Sequence, residues 1–163
     1  MTRQIATFHL GDTLLGIDIL LVKEINRQVN ISPIPDAPRQ LRGLMNLRGR
    51  VVTVIDLNVC LGRPPTGNID AARLLILKTR EDIMDFVADG HLADMAVGED
   101  IVGFVIDRMG DVAAVEDDEI LPPPPNVADI GEDLIRGVIK LENRLIVLLD
   151  VEAVLADVMG AGK

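Results

Sequence analysis

The stretch Arg42 to Leu61 (RGLMNLRGRVVTVIDLNVCL) recurs 94 positions later as Arg136 to Leu155 (RGVIKLENRLIVLLDVEAVL). Arg42, Gly43, Leu47, Arg50, Asp56 and Leu61 return as Arg136, Gly137, Leu141, Arg144, Asp150 and Leu155, where unrelated sequence would give roughly one or two matches. Nearly every apolar position between them is apolar in both copies. A supersecondary unit written twice restricts the fold to arrangements that seat two copies of it.

The unit itself reads as a hairpin and a helix. Leu44 to Leu47 and Val51 to Ile55 are short aliphatic and β-branched runs separated by Arg48-Gly49, and Glu142-Asn143 stands at the turn in the second copy. Gly and Asn enter the left-handed region at least cost, so Gly49 and Asn143 are expected to share one turn requirement. Asp56 and Asp150 are placed to cap short helices over Leu57 to Leu61 and Val151 to Val158, with Gly62 and Gly160 where those helices stop.

The flanking sequence repeats as well. Ile5 to Leu10 and Leu14 to Ile19 read as strands joined by Gly11-Asp12, and Leu20 to Ile25 continues extended or bent. In the second half Arg73 to Thr79, Val102 to Asp107 and Gly110 to Val115 answer them, with Gly103 against Gly16. Ile31 to Pro38 (ISPIPDAP) and Ile120 to Pro125 (ILPPPP) then read as stiff crossings outside the strands, because proline cannot donate to a ladder. Each half is therefore three strands, a proline crossing, a hairpin and a short helix, which is the content of a small barrel. The expected fold is mainly β: one domain over 1–163, built from pseudo-repeats at about 4–62 and 72–156, forming two five-stranded barrels related by a pseudo-two-fold, each followed by a short helix and sharing a core.

One segment has no counterpart. Glu81 to Asp100 carries seven acids and no Lys or Arg. It is expected to be a solvated excursion that the fold can lose, with a partner-facing arm as the alternative. Ile83, Met84, Val87 and the run Leu92 to Val97 would also suit helical turns, and Asp89-Gly90 a hairpin tip.

The net charge of −10 argues against nucleic acid and anionic membrane surfaces, the lack of Trp and Tyr against base stacking, and the lack of an apolar run of bilayer length against direct membrane insertion. There is no apolar run of bilayer length and no signal-peptide pattern at MTRQIATFHL, so a cytoplasmic location is expected. The single cysteine, Cys60, occupies an apolar position of the repeat and reads as a buried structural thiol. His9 and His91 have no metal-ligand spacing, no phosphate loop or nucleophile elbow is present, and Asp56 with Asp150 have the capping explanation. No catalytic residue, metal or cofactor is expected; the residues describe a module that binds.

Taken together, LLGIDILLVKEI (14–25), PIPDAP (33–38), RGLMNLRGRVVTVIDL (42–57), VGFVIDRMGDV (102–112), ILPPPP (120–125) and RGVIKLENRLIVLLDVEAVL (136–155) resemble the CheW family of chemotaxis adaptors, in order and over nearly the whole chain. The resemblance implies that the two barrels are SH3-like and without catalytic activity. It implies two partners, the regulatory domain of a CheA-type histidine kinase and the cytoplasmic tip of chemoreceptors. Carried over to matching positions, it implies a partner-binding set of Val22, Glu24, Gly43, Arg48, Gly103 and Gly137, with Glu24 and Arg48 interacting. A small-ligand-binding regulator using the groove between the barrels is the alternative from another class.

Overall fold

The computed structural model describes residues 2–27, 29–90, 100–125 and 127–160, with the side chains of 159–160 outside the description. The strands are β1 (Thr2–Leu10), β2 (Thr13–Asp18), β3 (Val22–Asn26), β4 (Leu41–Leu47), β5 (Arg50–Asp56), β6 (Arg73–Leu77), β7 (Ile101–Ile106), β8 (Arg108–Glu116), β9 (Ile120–Leu121), β10 (Ile135–Leu141) and β11 (Arg144–Leu149). The α-helices are α1 (Leu57–Cys60), α2 (Arg80–Ala88) and α3 (Val151–Gly160). They form two SH3-like barrels, a six-stranded sheet in the order β8-β1-β2-β11-β10-β9 and a five-stranded sheet in the order β3-β6-β7-β5-β4.

The sequence repeat and the barrel are different units. Each sheet takes the first two strands of one half and the remaining strands of the other, three in the five-stranded sheet and four in the six-stranded one, so neither half closes a barrel from its own strands. The joints are the two parallel pairings, β5 with β7 and β2 with β11. Val54 stands opposite Gly103 in the first and Leu148 opposite Gly16 in the second, so the pseudo-symmetry holds residue by residue. The expectation that each repeat is a self-contained barrel is corrected here. Strand patterning is local, whereas the choice of neighbour is made by long-range packing.

Burial follows the exchange. One core joins the sheets through Phe8, Leu15 and Ile17 of the six-stranded sheet, Ile55, Leu75 and Phe104 of the five-stranded one, and Val151, Val154 and Leu155 of α3. Each sheet also keeps a smaller private cluster, around Val54 and Leu74 in one and around Ile5 and Leu148 in the other. Cys60 lies buried, and burial pushes its thiol up to about 12.

Local expectations meet the structure unevenly. Arg48 at φ 51 and Gly49 at φ 82 both enter the left-handed region, but Glu142 and Asn143 turn without doing so, which corrects the shared requirement. The proline residues themselves stay outside the ladders, yet their lead-ins do not. Ser32 makes an isolated bridge to Leu44, and Ile120–Leu121 pairs with β10 as an edge strand. Neither pairing is central, so proline's missing donor costs nothing there.

The acidic segment is corrected more substantially. Its first half is α2, started by a capping box in which Thr79 and Asp82 each accept from the other's backbone. The Thr79 bonds hold the Asp82 carboxyl below its ordinary range, against the opposing pull of burial. Ile83 is 2% exposed in the joint core, Phe86 and Val87 pack against it, and the Lys78 ammonium lies 4.5 Å from the Phe86 ring centre. Asp89-Gly90 is the helix end, with Gly90 at φ 76, not a hairpin tip. His91 and the run Leu92 to Val97 lie outside the described residues. No helix among the described residues is long and apolar enough to cross a membrane.

Ile83→Ala should therefore lower the free energy of unfolding by about 2–5 kcal/mol, the usual loss for a buried large-to-small change, read by urea denaturation. A loss below about 0.5 kcal/mol would return α2 to the status of a dispensable loop.

Candidate partner-binding edge and the paired carboxylate sites

Glu24 and Arg48 meet where the five-stranded sheet ends. β3 and β4 are its two edges; Glu24 lies on β3 and Arg48 in the turn after β4. Arg48 Nη2 donates to Glu24 Oε2 at 2.6 Å, so the contact fastens one edge of the sheet to the other. Next to it, Lys23 reaches Asp82 of α2 at 3.4 Å. The Arg48 side chain is 67% exposed and that of Glu24 30%, so the pair is presented to solvent while half of it is fixed.

Two observations separate this pair from a fold requirement. Arginine carries a Cβ and pays for φ 51, which Asn or Gly at the first turn position would avoid. In the other barrel the strand registers place Asp111 where Glu24 stands, and the repeat places Glu142 where Arg48 stands. That barrel forms with two acids at the positions of the ion pair.

The other residues of the expected set sit differently. Val22, on the same strand as Glu24, is half-buried against the joint core. Gly43, Gly103 and Gly137 are buried. A Cβ on Gly103 would come within 2.7 Å of Leu74, and one on Gly137 within 2.7 Å of the Leu121 carbonyl oxygen and the Ile120 side chain. Gly43, at φ 146, meets the Ser32 carbonyl and Ile31 in the same way. The matched glycines thus admit the lead-in of each proline crossing against β4 and β10, at a register shift in both hairpins. This is a role within the fold, and no side chain of theirs reaches a surface.

Two exposed residues were missed. Val51 is 59% exposed and Leu145 38%, at equivalent positions after the two turns. Their signal was present in RVVTVID, where alternation that buries Val52 and Val54 turns Val51 outward.

The carboxylates Asp56 and Asp150 cap helices, as expected, and Asp56 does more. Its amide donates to the Gln40 carbonyl, as that of Asp150 donates to Leu134. Asp56 is wholly buried and accepts from Arg42 Nη1 (3.1 Å), Thr66 N (2.9 Å), Thr66 Oγ1 (3.0 Å) and Asn58 N (3.2 Å). Four donors, one of them a guanidinium, are what a buried carboxylate requires. A cavity of about 610 Å³ is lined in part by this loop, but its arginine, Arg63, is committed to Leu10 O, Thr13 Oγ1 and Ala128 O. Among the described residues no group of three or more His, Cys, Asp and Glu could hold a metal ion.

Comparison with known proteins follows the same outline. Residues 4–159 match the family model for the CheW-like domain. The chemotaxis protein CheW of Treponema pallidum is 30% identical over 148 residues, covering 91% of this chain and 79% of that protein. That of Bacillus subtilis is 30% identical over 161 residues, covering 95% and 92%. The crystal structure of the scaffolding protein TtCheW from Thermoanaerobacter tengcongensis superposes with a TM-score of 0.75 at 26% identity, covering 95% of this chain and 93% of that one.

Two outcomes test the division between fold and surface. Gly137→Ala should destabilise the protein by at least about 1 kcal/mol, because a backbone carbonyl cannot yield as a side-chain tip can; a thermal midpoint equal to the parent's would refute the close-approach role. Thr66→Val removes a donor from a buried charge and should cost about 1–3 kcal/mol in denaturant unfolding, whereas no measurable change would mean that Asp56 is hydrated.

Proposed function

The chain belongs to the CheW-like family, and on that premise we propose that it is a noncatalytic cytoplasmic adaptor coupling chemoreceptors to a CheA-type histidine kinase. The observation that carries the reading is the Glu24–Arg48 pair. It joins the two edges of one barrel, is solvent-presented, sits on a left-handed arginine and has two acids as its counterpart. Backbone strain held at an exposed charged residue is a feature of binding surfaces. The relatives' names as chemotaxis proteins, and the structural relative's as a scaffolding protein, support the same direction.

In this reading the regulatory domain of the kinase and the receptor tip are the two partners, and Arg48 is a contact residue. Glu24 orients its guanidinium, Val22 supports the strand that carries Glu24, and Gly43, Gly103 and Gly137 act on binding through the shape of the barrels. Arginine is well suited to such a place, since its planar donors fix direction as well as charge.

An exposed ion pair contributes about 0–1 kcal/mol to stability, while a hot-spot arginine can cost about 2 kcal/mol or more of affinity when removed. Arg48→Ala should therefore unfold within about 1 kcal/mol of the parent and bind the purified kinase regulatory domain or receptor tip at least about tenfold more weakly, which is about 1.4 kcal/mol. Unchanged titration curves with both partners would remove Arg48 from the site.

A further inference from the structure

The two halves differ at the sites of their repeated Arg–Asp pair. In the first, the loop after α1 folds back and inserts Thr66. Its amide and hydroxyl bind Asp56, its carbonyl lies 3.5 Å from Arg42 Nη1, and the residue is only 9% exposed. In the second half, the equivalent place is a pocket of about 270 Å³ lined by Arg136, Asp150, Arg3, Asp18, Asp117 and Ile120, among others. Asp150 Oδ1 accepts from Ala153 N, the capping bond, and no described residue occupies the position that Thr66 takes on Asp56. Arg136 makes no ion pair among the described residues.

The floor of the pocket is already built. Arg3 pairs with Asp18 at 3.3 Å and with Asp117 at 2.5 Å, which fixes its head at one wall. Among the described residues, what this leaves open is one guanidinium and one carboxylate, Arg136 and Asp150, at the repeat positions of the Arg42 and Asp56 that capture a backbone turn in the other half. The volume is at the small end for a ligand pocket, below the several hundred Å³ of drug-sized sites. It suits one or two residues.

We propose that this pocket receives a serine- or threonine-bearing turn of a partner protein, which docks on Arg136 and Asp150 as Thr66 docks on Arg42 and Asp56. The turn's amide and hydroxyl donate to Asp150 and its carbonyl accepts from Arg136. One detail is altered: Asn58, whose Nδ2 donates to Thr66 Oγ1 at 3.1 Å, is replaced by Glu152, so the incoming hydroxyl serves as donor only. The inference rests on the adaptor reading for the existence of a partner, and it adds a second contact, on the barrel that lacks Arg48.

Two measurements decide it. The first uses the whole protein and the capped diamide N-acetyl-threonine N-methylamide, followed by amide chemical shifts. Saturable shifts are expected at Arg136, Asp150 and Val151, at least threefold larger than with the valine diamide and abolished by Arg136→Ala. Equal shifts with both diamides, no shifts, or shifts that survive Arg136→Ala overturn the proposal. The second titrates the kinase regulatory domain and the receptor tip: Arg136→Ala should weaken one of them at least fivefold with unfolding unchanged, and parent-like binding of both overturns the partner assignment. If the parent chain binds neither partner, the adaptor reading fails instead, and the diamide experiment still decides the chemistry of the pocket.

Discussion

Everything in this molecule hangs on two parallel pairings, β5 beside β7 and β2 beside β11. Each sets the last strand of one half against the second strand of the other. Parallel neighbours cannot be made by a tight turn, so the pairing is available only when distant parts of the chain meet. Gly103 and Gly16 lie in these joints, and each faces a bulky aliphatic, Leu74 or Ile5, too near for a Cβ. The shared core is a consequence. Once strands are exchanged, Phe8 and Phe104 have to be buried in one volume, and neither barrel is complete while the other is unfolded. A single cooperative unfolding transition is the natural behaviour of such a structure.

Much of this was legible in the residues, and what was not has physical reasons. The 94-residue repeat, the hairpins, the buried thiol and the aspartate caps rest on local chemistry: alternation, turn residues, a carboxylate before a helix. The strand exchange does not, because a strand's pattern says which face is buried and is silent on which neighbour buries it. α2 was obscured by its charge. Four of its flanking and surface residues are acids, and the part that holds it down is Ile83 with Phe86 and Val87 at helical spacing. The proline crossings were read from what proline cannot do, and the pairing of Ser32 and Leu121 just ahead of the prolines escaped for that reason. Of the six residues in the expected binding set, the charged pair was placed together as expected. The glycines, matched across the repeat, turned out to be packing contacts.

Function is therefore best sought where the two halves disagree. Positions that agree share structural work: Gly43 and Gly137 admit the crossings, and Asp56 and Asp150 both cap a helix and donate their amides to the segment before the hairpin. Positions that disagree are free of that work: Arg48 against Glu142, Glu24 against Asp111, and a Thr66 plug against an open pocket. The first barrel thus presents an oriented guanidinium, and the second a pocket at Arg136 and Asp150 that no described residue fills as Thr66 does. Two unlike faces on a doubly tied body fit the adaptor proposed above, which would hold two different partners.

The exchange of charge within the Glu24–Arg48 pair tests the central claim most directly. In a protein carrying both Glu24→Arg and Arg48→Glu the ion pair is kept and the guanidinium is moved across the seam. If Arg48 itself contacts a partner, the doubly substituted protein should unfold within about 1 kcal/mol of the parent yet bind the kinase regulatory domain or receptor tip at least about tenfold more weakly, about 1.4 kcal/mol, by titration calorimetry. Parent-like affinity for both partners would contradict it, and would make the pair a fastening of the barrel and nothing more.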